Sequence, residues 1–226
     1  MAIKVTKKEL KEPDFLHVEL GKLVQLFLKH RTKIYILLLV CLLGAAVAAG
    51  WRLYKLHYEK SAQKVYSQFE TLSLKSNNTQ SENATLIDGF RNVASKYPRS
   101  QAALYSYYQL GNLYLNTEQL DLAIRAYDEF LKRASYNNYL KVLACTGKGY
   151  CYEIKKNFKK ALLSFESALK IPDGDILQGQ IYRDMARVYE EMSDQKNALE
   201  YYRKALEKTA DPIMGSIIKR KIAAMS

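Results

Sequence analysis

The sequence predicts an all-α chain: one apolar helix long enough to cross a bilayer, then an α-solenoid of about three helical hairpins closed by a terminal helix. Three observations carry that expectation. Residues 34–51 contain no charged side chain. An aromatic residue recurs at Phe90, Tyr127, Phe165 and Tyr202, at intervals of 37, 38 and 37. Gly and Pro number only 10 and 4, which favours helices over a turn-rich β fold.

The apolar run from Ile34 to Trp51 is eighteen residues, about 27 Å as a helix against a hydrocarbon core of roughly 30 Å. Lys33 and Arg52 at its ends, with Tyr35 and Trp51 as interfacial rings, make up the difference by snorkelling. Ala46-Val47-Ala48 has the look of a signal-peptidase site, but the 33 residues before the run are too many for an ordinary leader, so retention is expected. Basic residues near the run tie: Lys22, Lys29, Arg31 and Lys33 on one side, Arg52, Lys55, Lys60 and Lys64 on the other. The wider tail adds Lys4, Lys7, Lys8 and Lys11, which places the N-terminus in the cytoplasm and the following domain outside. Asp14 is a fair N-cap for a short helix to about Lys29, with Leu16, Leu20, Leu23, Val24 and Phe27 on one face. That reads as an amphipathic helix on the membrane surface.

Beyond residue 75 the period sets the fold. Leu86, Ala123, Ala161 and Ala198 stand four residues before the recurring aromatics, and Val93, Phe130, Ala168 and Ala205 three after, so one helix face is written four times. Upstream of the last three copies come Tyr107, Leu110, Gly111 and Tyr114, then Cys145, Gly149 and Tyr152, then Tyr182, Ala186 and Tyr189. The small residue Gly111, Gly149 or Ala186 lets a first helix approach a second, whose own small residue is Ala123, Ala161 or Ala198. This is the tetratricopeptide pattern, lengthened by a few residues around 136–138 and 172–175. The Phe90 copy is incomplete; its first helix is the stretch 52–75, and Ser76 to Glu82 reads as a loop. After Pro212, residues Ile213, Ile217, Ile218 and Ile222 are expected to cover the open end, with Lys219, Arg220 and Lys221 facing water. The boundaries are therefore 1–33 for the basic tail, 34–51 for the span, 52–98 for the linking helix and degenerate hairpin, 99–212 for three repeats, and 213–226 for the cap.

The formal charge is +12, from 35 basic and 23 acidic residues. Lys148, Lys155, Lys156, Lys159, Lys160 and Lys170 are spread as solvated helix faces, so no nucleic-acid footprint is expected. Chemistry is scarce. His17, His30 and His57 all lie near the anchor without metal-ligand spacing, and no phosphate-binding glycine loop or nucleophile elbow occurs. Asp173-Gly174-Asp175 lacks the remaining ligands of a calcium loop and reads as a turn. Cys145 and Cys151 are six apart on one helix and cannot pair; Cys41 lies inside the apolar run. Glu153 and Glu190 are the acid–base candidates, neither with a defensible partner. No cofactor, no metal and no catalysis are expected.

The order of parts resembles the YfgM-like family: a basic tail, a span ending in Gly50-Trp51-Arg52, three hairpins, and a closing Asp211-Pro212-Ile213…Lys219-Arg220-Lys221-Ile222 helix. The resemblance implies a bacterial inner-membrane protein with its repeats in the periplasm, an ancillary subunit of the SecYEG translocon. There it would work beside a PpiD-like chaperone on exported clients. The free cysteines depart from what a periplasmic domain ordinarily carries. Rival readings are a repeat adaptor for pilus or secretion assembly, and a regulator that sequesters a cytoplasmic response regulator through its tail.

For a protein partner, the inner positions of the first helices are, by spacing, Tyr105, Tyr108, Asn112 and Leu115, then Tyr150 and Ile154, then Arg183, Arg187 and Glu190. The positions at which carboxylate-clamp repeats hold a chaperone C-terminus carry Tyr108, Gly147, Gln180 and Asp184 here, with only Asn112 matching. That mode is not expected.

Overall fold

The computed structural model describes residues 15–77, 79–135, 138–172 and 174–225; for 15–19, 23, 27 and 176 the description is of backbone alone. Among these residues the regular structure is helical, with no strand. The chain divides into two units, Met1–Leu56 and His57–Ser226.

In the first unit, helix α1 (Phe15–Lys75) begins, and it continues into the second unit. No break occurs near Lys29, because no Pro or Gly stands between Lys22 and Leu43. The N-cap assigned to Asp14 and the side chains of Leu16, Leu23 and Phe27 lie outside the described residues. Leu20 and Val24 are exposed, as is nearly every side chain of 34–51. The most apolar stretch of the helix has a mean hydropathy of 2.4 with none of it buried, long and apolar enough to cross a membrane.

In the second unit, residues 57–75 of α1 pair with α2 (Gln80–Lys96). Three further hairpins follow: α3 (Gln101–Asn116) with α4 (Leu120–Arg133), α5 (Asn138–Ile154) with α6 (Phe158–Leu169), and α7 (Gln178–Glu191) with α8 (Gln195–Lys208). A 3-10 turn at Gly174–Leu177 leads into α7; Asp173 lies outside the described residues, as do Tyr136 and Asn137. Helix α9 (Pro212–Met225) packs on α8. Each hairpin packs on the next, so the stack runs in series.

The recurring aromatics form the spine of the core: Phe90, Tyr127, Phe165 and Tyr202 are all buried. The glycines opposite them are sites of close approach. A Cβ at Gly111 would stand 2.5 Å from the Tyr127 ring, one at Gly147 2.6 Å from the same ring, and one at Gly149 2.4 Å from Phe165. Tyr127 therefore occupies a slot between glycines of two successive first helices. The small residue of a first helix admits an aromatic ring of its partner: Gly111 faces Tyr127, and Gly149 faces Phe165.

Two expectations change. The loop after α1 is shorter than 76–82, since Thr79 and Glu82 make a capping box and Glu82 is already helical. In α9, Ile218 is fully buried and Ile222 half-buried, but Ile213 and Ile217 are exposed. Gly215, lying near Leu206, and Ile218 set the phase of the helix; Ile213 is left to solvent, and Ile217 lies at the wall of a small cavity shared with Arg183.

The turns inside the hairpins share one geometry that the periodicity did not reveal. Glu118, Lys156 and Ser193 have φ of 58°, 58° and 60°. The following N–H groups, of Gln119, Asn157 and Asp194, donate back to the carbonyls of Tyr114, Tyr152 and Tyr189 at 2.8, 2.8 and 2.9 Å. That is a Schellman closure with a non-glycine residue in the left-handed position. Asn157 and Asp194 then cap the second helix through their side chains.

Candidate protein-binding groove

The first helices of the hairpins line an inner face in two halves. In the first half, Tyr66 and Glu70 of α1 face Tyr105, Tyr108 and Gln109 of α3, with Leu140 of α5 beside them, around a cavity of about 320 Å³. Tyr66 is almost fully buried and packs in tilted contact on Phe90 and Tyr105 at ring distances of 5.6 and 6.4 Å. Burial pushes its phenol up to about 12, and the Glu70 carboxylate adds to the shift. Tyr108 packs on Tyr127 and Phe130 at 6.3 and 5.5 Å, and burial raises its phenol as well. Asn112 accepts a 2.7 Å hydrogen bond from the Tyr127 hydroxyl.

In the second half, Tyr150, Glu153 and Ile154 of α5 face Arg187 and Glu191 of α7 around a cavity of about 330 Å³. Arg187 makes a two-bond fork to Glu153, at 2.7 and 2.8 Å, and a third bond to Asp184 at 3.1 Å. The bonds to Glu153, then the charge of Asp184, hold the guanidinium in its charged form and raise its pKa. Arg187 also lies 5.7 Å from the Tyr150 ring. Burial, then the neighbouring Asp184 carboxylate, raises the Tyr150 phenol. Near the C-terminal end, Glu190 accepts from the Tyr202 hydroxyl and from Lys221 of α9 at 2.9 Å, and Arg183 donates to Asp184. A smaller cavity of about 180 Å³ lies there, walled partly by Ile217, Ile218 and Lys221 of α9.

Of the nine inner positions read from spacing, Ile154 is exposed and the other eight are half-buried. Tyr105, Tyr108, Tyr150, Ile154 and Arg187 line the two larger cavities. Asn112 serves Tyr127, and Leu115 packs at the edge of the core. Arg183 and Glu190 are partly covered from α9, through Met214 and Lys221. The nine positions omit Tyr66 and Glu70, which stand on the far side of a polar loop; Asp184, placed by spacing at a clamp-equivalent position of the groove, is fully buried, which no periodicity announces. The acid–base candidates are both engaged, Glu153 by Arg187 and Glu190 by Tyr202 and Lys221. Among the described residues no group of His, Cys, Asp and Glu is arranged to hold a metal.

The family model of the tetratricopeptide repeat matches residues 104–137, 142–174 and 178–207. No curated protein matches the sequence. Among solved structures, one described as MamA superposes with a TM-score of 0.53 at 16% identity, covering 65% of this chain and 78% of that one. A MamA RS-1 double mutant gives 0.55 at 17%, covering 67% and 77%. A further MamA protein gives 0.54 at 14%, covering 72% and 88%. Tetratricopeptide repeats are scaffolds for protein–protein interaction, and residues 104–207 carry three of them in a MamA-like solenoid.

Proposed function

We propose that this chain is a non-catalytic, single-pass membrane protein whose repeat domain binds a segment of another protein along the inner face of its first helices. The observation that carries this reading is the pair of cavities of about 320 and 330 Å³ on that face, one aromatic and one charged. Rigid tyrosine rings with polar tips supply contact area at little entropic cost, and the second half supplies oriented charge. The apolar run 34–51 supports anchorage in a membrane, and the basic tail supports a cytoplasmic N-terminus with the repeats in the periplasm.

The resemblance to the YfgM-like family narrows the partner to the Sec translocon, with a PpiD-like chaperone and exported chains as companions. Two measurements test this. A photoreactive residue placed at Tyr105 or Ile154 in intact cells is expected to crosslink to a translocon subunit, a chaperone or an exported chain. Purification in a mild detergent is expected to bring translocon subunits with the protein. Recovery of a stable complex lacking every translocon subunit overturns the assignment of partner; absence of any crosslinked protein from either position overturns the groove as a binding site.

A further inference from the structure

Resting on the reading of the inner face as a protein-binding groove, we infer that its first half receives a lysine or arginine side chain carried on an apolar stretch of the partner. The chain has a formal charge of +12, yet no lysine or arginine lines this cavity. Its one carboxylate is Glu70, which takes part in none of the ion pairs among the described residues. In the second half each carboxylate already has its cation: Glu153 and Asp184 share Arg187, and Glu191 meets Lys156.

This domain repeatedly sets a cation over a tyrosine ring. Arg133 lies 4.8 Å from the Tyr107 ring, Lys204 4.5 Å from Tyr201, and Arg187 5.7 Å from Tyr150. A cation over a ring, with a carboxylate within reach of the same cation, is complete in the second half as Tyr150, Arg187 and Glu153. The first half holds the same parts without the cation: the half-buried rings of Tyr105 and Tyr108, and Glu70 beside Tyr66. A guest side chain with a positive tip completes the set. Its apolar neighbours would meet Leu140 and the ring edges, and the amides of Gln63 and Gln109 can pair with its backbone.

The test uses the full chain in detergent micelles and three fluorescein-labelled peptides of one apolar background, with lysine, norleucine or glutamate at the centre. The lysine peptide is expected to bind about fivefold or more tightly than the norleucine peptide, with glutamate weakest. Glu70→Gln is expected to erase the lysine preference, bringing the lysine and norleucine peptides to equal affinity; Tyr105→Ala weakens every peptide. An unchanged far-ultraviolet spectrum and melting point for Glu70→Gln exclude loss of fold as the cause. No binding of the lysine peptide, equal binding of all three, or a lysine preference that survives Glu70→Gln overturns the inference. Crosslinking from Tyr105 and Ile154 is read separately, so the wider proposal can stand when this one falls.

Discussion

The Tyr150 hydroxyl donates a 2.5 Å hydrogen bond to the carboxylate of Asp184, tying the middle repeat to the last. Asp184 is fully buried, and its other oxygen accepts from Arg183 and Arg187, both at 3.1 Å. A charge in the interior of a repeat interface is tolerated because three donors satisfy it. The same atoms position Arg187 over Tyr150 and against Glu153, so the charged half of the groove is assembled around one core carboxylate.

Asp184→Ala should therefore destabilise the domain by about 2 kcal/mol. The loss comes from a small cavity and from the Tyr150 O–H left without its acceptor, though Gln180 still donates to that oxygen, while the two arginines, partly exposed, recover water. Urea unfolding followed by circular dichroism reads the change; a midpoint equal to wild type would show that Asp184 is not a keystone of the interface.

Alanine should act with opposite sign at two glycines, Gly111 against the Tyr127 ring and Gly215 beside Leu206. Gly111→Ala places a methyl where the nearest ring carbon is 2.5 Å away, against a ring that is itself fully packed. The clash should outweigh the helix-propensity gain of about 1 kcal/mol and leave a net loss of roughly 1–2 kcal/mol. At Gly215 the nearest atom to an added Cβ is 3.8 Å away, an ordinary contact. Gly215→Ala should raise the melting temperature. Equal shifts for the two variants would mean that the ring yields.

The three left-handed turn residues offer a stabilising change. Glu118 holds φ at 58°, a region that costs an L-residue about 1 kcal/mol and glycine almost nothing. Glu118→Gly is expected to stabilise by roughly 0.5 kcal/mol once the greater freedom of glycine in the unfolded chain is counted. A decrease in the unfolding midpoint would contradict the geometry.

Alkaline pH should weaken the domain through its buried thiols. Burial pushes Cys151 from 9.0 up to about 11 and shifts Cys145 in the same direction. The unfolded chain thus releases these protons first. The stabilisation is complete below about pH 9 and is lost as the pH rises towards 11. Between pH 8 and pH 10 the wild type should lose on the order of 1 kcal/mol more than Cys151→Val, measured by urea unfolding at each pH. At pH 8 a thiol reagent should modify Cys145 and Cys151 only after unfolding, since both are buried. Rapid labelling of Cys145 or Cys151 in a folded Cys41→Ser variant, whose exposed thiol is removed, would refute it.

Much of this architecture was legible because a helical hairpin repeats its own requirements. Phe90, Tyr127, Phe165 and Tyr202 must each be large and apolar for the same reason, and four statements of one rule stand out from the variable surface. Details that depend on helix phase were less legible. Ile213, Ile217, Ile218 and Ile222 look alike in the sequence, and which of them meets α8 follows from where Gly215 and Leu206 come close. The shorter loop before α2 had a readable signal in Thr79 and Glu82, a capping box hidden inside a polar run.

By itself the sequence determined the apolar run, the number and order of the hairpins, and the small and large residues that let them nest, because these rest on local periodicity. Only the tertiary structure decided which polar residues share the inner face. Glu70 and Tyr108 come from helices 38 positions apart in the chain, and Asp184 is buried by neighbours on two repeats. A side chain's charge is written in its residue type; whether a partner cation or a ring stands beside it depends on packing across repeats, which no single helix encodes.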